Sequence, residues 1–341
     1  MDSKIKNLLA EITNTTPSEW SISKLHGDAS YRTFYRAECE DGESFIIMQM
    51  PDGHASISEE VTKYDGGIRE LSFINLQRCL SNAHLPVPHI VHNTKDEKLL
   101  VIEDLGDEML FGLVDGKPDQ EQKKWYEMAV DLLVEVQERS KLIDKEHCVA
   151  FGKRFDESLL NWEFDHFLEY GIEARGGKKL IAQEKKEFEK FSRKISAEIV
   201  KLEFGFTHRD FQSRNLMLKE GKLYMIDFQD ALIGPYVYDL VSLLRDSYVK
   251  LNMSVVEALI KHYTEKSGRD FNDTLRAFHL VTVQRKLKDA GRFVYIDRVK
   301  GNPNFLKNIP TSLEYVKLAL HKLGFTDFYA FLKNFVPELS V

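Results

Sequence analysis

Cysteine and long apolar runs are what this 341-residue sequence has least of. Its three cysteines, Cys39, Cys79 and Cys148, are odd in number and far apart in the sequence. This pattern fits reduced thiols in a cytoplasm better than a disulfide framework or a zinc site. No apolar segment approaches the roughly 18 residues of a membrane helix, and charges interrupt the N-terminal segment. We therefore expect a cytoplasmic protein without a membrane partner.

A concentrated block of positive charge is also missing. The formal net charge is −7, and no basic run is long enough to form a nucleic-acid footprint. Hydrophobic residues make up 43% of the chain and charged residues 30%, which is ordinary for a globular enzyme. The length suits about two domains. Composition therefore disfavours a nucleic-acid partner, and it leaves the oligomeric state open.

Residues 204–230 carry the most informative pattern in the chain. His208, Asp210 and Asn215 follow the spacing H-x-D-x-x-x-x-N, and Asp227 comes after an apolar run. Protein kinases use this spacing, with the first Asp taking the proton of the attacking hydroxyl. Asn215 and Asp227 would offer the oxygen ligands that Mg²⁺ prefers. For His208 the pattern favours bracing the loop by a hydrogen bond over acid–base chemistry.

The segment after the loop predicts how these residues converge. Two apolar runs around Glu220 and Gly221 indicate a hairpin that returns Asp227 to the loop. A turn at Gly234-Pro235 then precedes a helix that contains Asp239. A carboxylate one turn into this helix can reach back to brace the loop. The alternative for Asp239 is a weak interaction with the helix dipole.

The N-terminal region predicts three antiparallel strands, over residues 20–25, 31–38 and 44–50. Between the first two strands, the small residues Gly27, Ala29 and Ser30 would let backbone amides approach the phosphates of a nucleotide. A plain hairpin turn would have the same sequence.

The third strand lacks the lysine that binds the α- and β-phosphates in protein kinases. Triphosphate oxygens still need positive charge nearby. Arg32 and Arg36 are candidates to supply it, and the alternative is that both are solvated charges on a strand.

A polar bend follows a predicted buried strand at residues 99–102. In a two-lobe kinase this bend is the hinge, where the backbone near Glu103 recognises the adenine edge and Leu105 packs on it. We therefore divide the chain at Gly106, into a nucleotide-binding lobe of residues 1–106 and a catalytic and substrate-binding lobe of residues 107–341.

Most of the remaining sequence has helical periodicity. Further helices are predicted over residues 3–13, 58–80, 120–140, 155–170, 184–202, 255–268, 272–296, 312–323 and 327–332. The helix at 272–296 is basic, and its Arg285 and Arg292 would bind an anionic or richly hydroxylated substrate if they line the cleft. The alternative is an ordinary solvated face.

The phrases HRDFQSRN and IDFQD resemble the aminoglycoside phosphotransferase and choline kinase superfamily. The longer phrases GDASYRTFYR, IEDLGD and VQRKLKDAGRF look like the bacterial anomeric sugar kinases of cell-wall recycling. The resemblance implies an α+β, protein-kinase-like fold with an antiparallel sheet in the first lobe and a mainly helical second lobe. It also implies that Asp210 is the base, that Asn215 and Asp227 bind Mg²⁺, and that the loop from Gly27 to Ser30 covers ATP.

The expected activity is therefore ATP- and Mg²⁺-dependent phosphorylation of the anomeric hydroxyl of N-acetylmuramate or N-acetylglucosamine. The subgroup also lacks the strand lysine, although Gln49 stands where we would expect an Asp. Two alternatives remain open at this point. One is a kinase of another small metabolite, such as an aminoglycoside, choline or an amino acid alcohol, and the other is a non-catalytic nucleotide-binding protein.

Overall fold

The N-terminal region forms an antiparallel sheet. The computed structural model describes residues 2–25, 32–50, 68, 70–94 and 98–340. The sheet has five strands in the order β1-β2-β3-β5-β4. These strands are β1 (Trp20–Leu25), β2 (Thr33–Cys39), β3 (Ser44–Gln49), β4 (Ile90–Asn93) and β5 (Leu99–Glu103). Helix α1 (Asp2–Thr13) packs on one face, where Ile5 and Leu9 are fully buried.

Helix α2 (Ser72–Asn82) covers the opposite face of the sheet. The sequence predicted a longer helix over residues 58–80, of which 58–67 lie outside the described residues. The described part begins only at Ser72, so the prediction was wrong for Ile68 and Leu71. The Glu70 carboxylate binds Asn75 and Arg78, so Glu70 lies beside the first turns of the helix and is not part of it.

The rest of the described chain is mainly helical and contributes most of the hydrophobic core. Its helices are α3 (Leu110–Val114), α4 (Asp119–Arg139), α5 (Glu157–His166), a π-helix (Phe167–Ala174), α6 (Ala182–Ile199), α7 (Tyr238–Leu244), α8 (Met253–Ser267), α9 (Phe271–Lys300), α10 (Ile309–Leu323) and α11 (Thr326–Lys333). Helix α9 packs against α5 to α8, the π-helix and α10, and is buried along most of its length. The predicted α+β architecture is confirmed.

A β-hairpin follows the catalytic loop, as predicted. Strands β7 (Leu216–Lys219) and β8 (Lys222–Met225) pair antiparallel. Glu220 and Gly221 between them have φ values of 49° and 77°. Positive φ at both central residues is typical of the type I′ turn, which suits two-residue hairpins and favours glycine.

Two predicted features differ from the structure. The helix predicted over residues 155–170 is regular only to His166, where the π-helix takes over. Gly234 and Pro235, predicted as a turn, end strand β9 (Leu232–Pro235), which pairs with β6 (Phe204–Thr207). Glycine is required there because a Cβ at Gly234 would lie 2.8 Å from the Phe155 ring.

The predicted division of the chain at Gly106 falls three residues after the end of β5 and stays a prediction. Cys39, Cys79 and Cys148 are free thiols. Within the described ranges, every helix is too short or too polar to cross a membrane.

Candidate active site

The loop between β6 and the hairpin is held from below by helix α7. The Asp239 carboxylate accepts hydrogen bonds from the backbone N–H groups of His208 and Arg209, at 2.7 and 2.9 Å. These bonds hold Arg209 at a φ of 78°, a left-handed conformation that costs free energy in a non-glycine residue. Burial raises the pKa of Asp239 to about 6, although His208 and the two N–H groups favour its charged form. The predicted bracing contact of Asp239 is therefore observed.

His208 ties the loop to the segment after β8 that carries Asp227. Its Nε2 lies 3.0 Å from the backbone oxygen of Ile226. Because a carbonyl oxygen can only accept, the neutral ring must carry its proton on Nε2. Burial lowers the pKa of His208, which keeps the ring neutral. The side chain therefore braces the loop, as the sequence favoured.

Asp210 meets an arginine from helix α9. The Arg285 guanidinium donates from Nη1 to the backbone oxygen of Arg209 at 2.6 Å and from Nη2 to Oδ1 of Asp210 at 3.1 Å. Burial opposes ionisation of Asp210, but the positive charges of Arg285, Lys288 and Arg209 outweigh it and hold its pKa below the ordinary value. Asp210 is thus an ionised carboxylate, with its side chain 36% exposed.

Asn215 and Asp227 lie next to Asp210. The Asn215 side chain donates to the backbone oxygen of Asp210 at 2.9 Å, and the backbone oxygen of Asn215 accepts from Ile226 N at 3.0 Å. Asp227 has a φ of 62° and accepts from Gln229 at 2.7 Å. Desolvation by the surrounding protein, with the negative charge of Asp210, raises the pKa of Asp227. The predicted convergence is observed.

The candidate phosphate-binding arginines have different positions. Arg32 lies close enough to Asp227 for its positive charge to oppose part of the rise in the pKa of that carboxyl. Arg36 instead pairs with Asp104 and Asp107, at 2.7 Å in each case. Arg36 therefore anchors β2 to the hinge, whereas Arg32 remains a candidate for the phosphates. Gly27, Ala29 and Ser30 lie outside the described residues.

The bend predicted to be the hinge is bound by side-chain and backbone groups that come before and after it in the chain. Glu103 accepts from Lys219 Nζ at 2.8 Å and from the backbone N–H of His89 at 3.2 Å. Lys219 also donates to the backbone oxygen of Asp104 at 3.0 Å. Leu105 is buried. The Glu103 side chain is thus used within the protein, and its predicted contact to adenine would have to use the backbone.

The two arginines predicted to bind substrate occupy different environments. Arg285 is 2% exposed and bound to the loop, with its guanidinium 5.0 Å from the centre of the Tyr238 ring. Helix α9 packs behind the loop, so the guanidinium of Arg285, predicted to contact substrate, instead contacts Asp210 and the backbone of Arg209. Arg292, two turns further along α9, is half-buried and lies 4.7 Å from the centre of the Tyr295 ring.

Several supporting residues were missed by sequence reasoning. Asp246 accepts from the backbone N–H and hydroxyl of Ser213, next to Asn215. Glu163 accepts from Arg209 at 3.1 Å and from Gln284 at 2.6 Å. Gln284 could have been found from sequence, because it lies four residues before Lys288 and so shares a polar face of the predicted helix with it. Glu163 carries no such signal, because its partners are distant in sequence.

A cavity of about 690 Å³ lies away from this site. It is lined by residues of the α2–β4 connection, α4 and the β7–β8 hairpin, and none of the catalytic-loop residues contributes to it. The chemistry is therefore assigned from the side-chain geometry around Asp210.

Comparison with known proteins decides the family. Residues 21–278, more than half of the chain, match the phosphotransferase enzyme family. The chain belongs to this family. The phosphotransferase is 26% identical over 344 residues to an N-acetylmuramate/N-acetylglucosamine kinase of Neisseria meningitidis, covering 98% of this chain and 96% of that protein. It is 27% identical over 301 residues to the Pseudomonas aeruginosa protein of the same name, covering 86% and 82%.

Solved structures support the fold of the phosphotransferase. ADP-bound aminoglycoside phosphotransferase APH(2'')-Ib superposes with a TM-score of 0.62 at 15% identity, covering 92% of this chain and 98% of the other. A choline kinase from Cryptosporidium parvum gives 0.63 at 13% identity, covering 95% and 96%. The resemblance read from the sequence is confirmed, and the chain is a small-molecule phosphotransferase.

Proposed function

We propose that this phosphotransferase moves the γ-phosphoryl group of ATP to the anomeric hydroxyl of an N-acetylated amino sugar. The observation that carries the proposal is the ionised Asp210, held on a braced loop beside Asn215 and Asp227. The substrate class is supported by the relatives, which are named N-acetylmuramate/N-acetylglucosamine kinases and align along most of the chain.

The acceptor hydroxyl and the base are chemically matched. A hemiacetal hydroxyl is more acidic than an ordinary alcohol, so a weakly basic carboxylate can orient it and accept its proton. In a loose phosphoryl-transfer transition state this proton moves late, which lowers the demand on the base. The low pKa of Asp210 keeps the carboxylate ready to accept over a wide pH range.

The residues beside the base fit Mg²⁺. Asn215 and Asp227 would hold it through an amide oxygen and a carboxylate oxygen, both hard ligands. The neighbouring negative charges of Asp210 and Asp227 also favour a cation between them. When bound, it would neutralise charge on the phosphates.

The ATP site is proposed from the first lobe. Backbone groups near Glu103 and the side chain of Leu105 would contact adenine, and Arg32 would offer positive charge where the strand lysine is missing. We propose that Gly27, Ala29 and Ser30 cover the phosphates, and that the lobes divide near Gly106.

The main alternative is a kinase of a cationic metabolite such as choline or an aminoglycoside. Arg209, Arg285 and Lys288 all lie close enough to Asp210 to lower its pKa. A cationic acceptor would have to approach the base against these charges. For a non-catalytic nucleotide-binding protein there would be no reason to keep Asp210 ionised and braced. Both alternatives are therefore less well supported.

The test is phosphoryl transfer from labelled ATP in the presence of Mg²⁺ and a panel of amino sugars, amines and alcohols. We expect label on the anomeric oxygen of N-acetylated amino sugars. Transfer only to choline or aminoglycosides, or ATP binding without transfer, would overturn the proposal.

The matched variant is Asp210→Asn, which keeps the shape of the side chain and removes the base. We expect kcat to fall by about three orders of magnitude or more, with ATP affinity retained. Turnover near that of the unaltered protein would reject Asp210 as the base.

A further inference from the structure

Four rings form a cluster on the second lobe. The centre of the His166 ring lies 5.5 Å from that of Trp162, 4.8 Å from Tyr170 and 5.3 Å from Tyr295, and Tyr170 lies 5.1 Å from Tyr295. Trp162 is 37% exposed, although large apolar side chains of this kind are usually well buried. We call these four residues the aromatic platform. Its exposed indole offers a flat apolar face to a ligand.

The platform is connected to the catalytic base along helix α9. Arg285, Lys288, Arg292 and Tyr295 recur at three- and four-residue spacing, so they share one face of the helix. Arg285 binds Asp210, and Arg292 lies over Tyr295 two turns later, about 10 Å along the axis. Lys288 lies between Arg285 and Arg292 on this face. Its positive charge lowers the pKa of both Asp210 and His166, so it is near both groups. The separation of about 10 Å between Arg285 and Arg292 along the helix suits a monosaccharide with an extended substituent.

The platform also contains a polar atom without a partner. Nε2 of His166 is buried and makes no hydrogen bond to any residue in the described part of the chain. Burial, with the charges of Arg292 and Lys288, lowers the pKa of His166 to about 4, so the ring is neutral near pH 7. Leaving such an atom unpaired is unfavourable. The neutral, buried ring contributes to the platform by packing against the rings of Trp162, Tyr170 and Tyr295.

The backbone holds the platform rigidly. Tyr170 lies in the π-helix, a conformation that is rare and frequent at functional sites. Helix α9 approaches this segment closely at Gly291, where a Cβ would lie 2.8 Å from the Cα of Phe167. Trp162 and Tyr295 are therefore presented by elements whose relative position is fixed.

We propose that the aromatic platform and Arg292 bind the acceptor sugar, with the indole of Trp162 against the apolar face of the pyranose ring and Arg292 on an anionic substituent. Binding sites for small molecules combine such apolar faces with a few placed polar groups. Aromatic cages also bind quaternary ammonium groups, but Arg292 and Lys288 beside this platform would repel a cation. This inference rests on the proposed function and names the residues that select its substrate.

The first test separates sugar binding from ATP binding. For Trp162→Ala we expect the KM for N-acetylglucosamine to rise about ten-fold, as for loss of one well-placed aromatic contact, with a much smaller change in the KM for ATP. Trp162→Tyr, which keeps a ring, should recover most of the affinity and guards against a folding defect. Equal KM values for the sugar in all three proteins would overturn the role of Trp162.

The second test compares two sugars that differ in a carboxylate. Arg292→Met should lower kcat/KM for N-acetylmuramate about ten-fold or more while changing that for N-acetylglucosamine much less. Arg298→Met, on the exposed side of the same helix, is the matched control and should leave the ratio of the two unchanged. An unchanged ratio in Arg292→Met would overturn its assignment. If the unaltered protein phosphorylates neither sugar, the proposed function itself fails, so the two failures are distinguishable.

Discussion

At the scale of single residues, a few carboxylates and one arginine fix the geometry of the base. Asp239 was found from sequence because a carboxylate near the start of the helix that follows the catalytic stretch can reach back to the loop. Arg285 was predicted to bind substrate because its helix is basic. Its partner in the structure, Asp210, was missed because it lies 75 residues away in the sequence. Sequence spacing shows that α9 has a basic face, but it does not show that one of those cations turns inward to Asp210.

Asp239→Asn tests the brace of the loop. An amide has a single acceptor oxygen, so one of the two backbone N–H groups of His208 and Arg209 would face a donor. We expect the free energy of unfolding to fall by about 1–3 kcal/mol, with reduced kcat. Asp165→Asn, which removes an exposed ion pair, should cost under about 1 kcal/mol. Urea unfolding of the three proteins measures this, and equal losses in both variants would contradict the role of Asp239.

Arg285→Gln tests the electrostatics of the base. The positive charge of Arg285 favours the ionised form of Asp210, whereas burial disfavours it. Removing Arg285 should therefore raise the pKa of Asp210. A base with a raised pKa is protonated at higher pH. We therefore expect the acid limb of the kcat/KM profile to move to higher pH. Arg298→Gln serves as the control, and an unmoved acid limb in Arg285→Gln would show that Asp210 is not the titrating base.

At the scale of elements, regular helices and the hairpin followed from periodicity and turn residues, whereas irregular elements did not. The hairpin around Glu220 and Gly221 is a local signal. The π-helix and strand β9 depend on tertiary contacts, with α9 in one case and with β6 and Phe155 in the other. A local reading therefore assigned a regular helix and a turn to these segments.

Gly291→Ala tests the close packing of α9 on the π-helix. The added methyl group would meet the backbone of Phe167 at 2.8 Å, and backbone cannot rotate aside. We expect a loss of about 1–3 kcal/mol in the free energy of unfolding, typical of overpacking. Gly112→Ala, within helix α3, is the matched helical control, because no atom lies within 4 Å of its added Cβ. Because alanine favours the helical conformation more than glycine does, the free energy of unfolding of that variant should equal or slightly exceed that of the unaltered protein. Similar thermal midpoints for both would argue against a tight contact.

At the scale of the whole molecule, the fold was predictable because the catalytic motif, the hinge and the strand pattern agreed. The pairing of Arg36 with Asp104 and Asp107 could not be predicted, because this contact joins β2 to residues that follow β5. The same holds for Asn75 of α2, which donates to the backbone oxygen of His147 at 2.9 Å and accepts from the backbone N–H of Val149 at 2.9 Å. Contacts of this kind set how the sheet and the helices meet, and they have no signature in local sequence.

Two buried histidines make the stability of the whole molecule depend on pH. Burial is the main cause that lowers the pKa of His166 and His279 to about 4, below the value of about 6.5 in an unfolded chain. Between these pH values the unfolded chain binds protons that the folded protein cannot. The contribution of these two histidines to stability should therefore fall as the pH drops from about 6.5 to 4, by at most about 1.4 kcal/mol per pH unit for each histidine.

His279→Gln removes one of the two titrating groups, so we expect a shallower dependence of the free energy of unfolding on pH between 6.5 and 4.5. The matched control is His84→Asn, at an exposed position with a φ of 57° that Asn tolerates. Urea unfolding at several pH values measures the slopes, and comparison within each variant removes the fixed cost of the substitution. A slope in His279→Gln equal to that of the unaltered protein would mean that His279 titrates normally, and that solvent reaches it in the folded state.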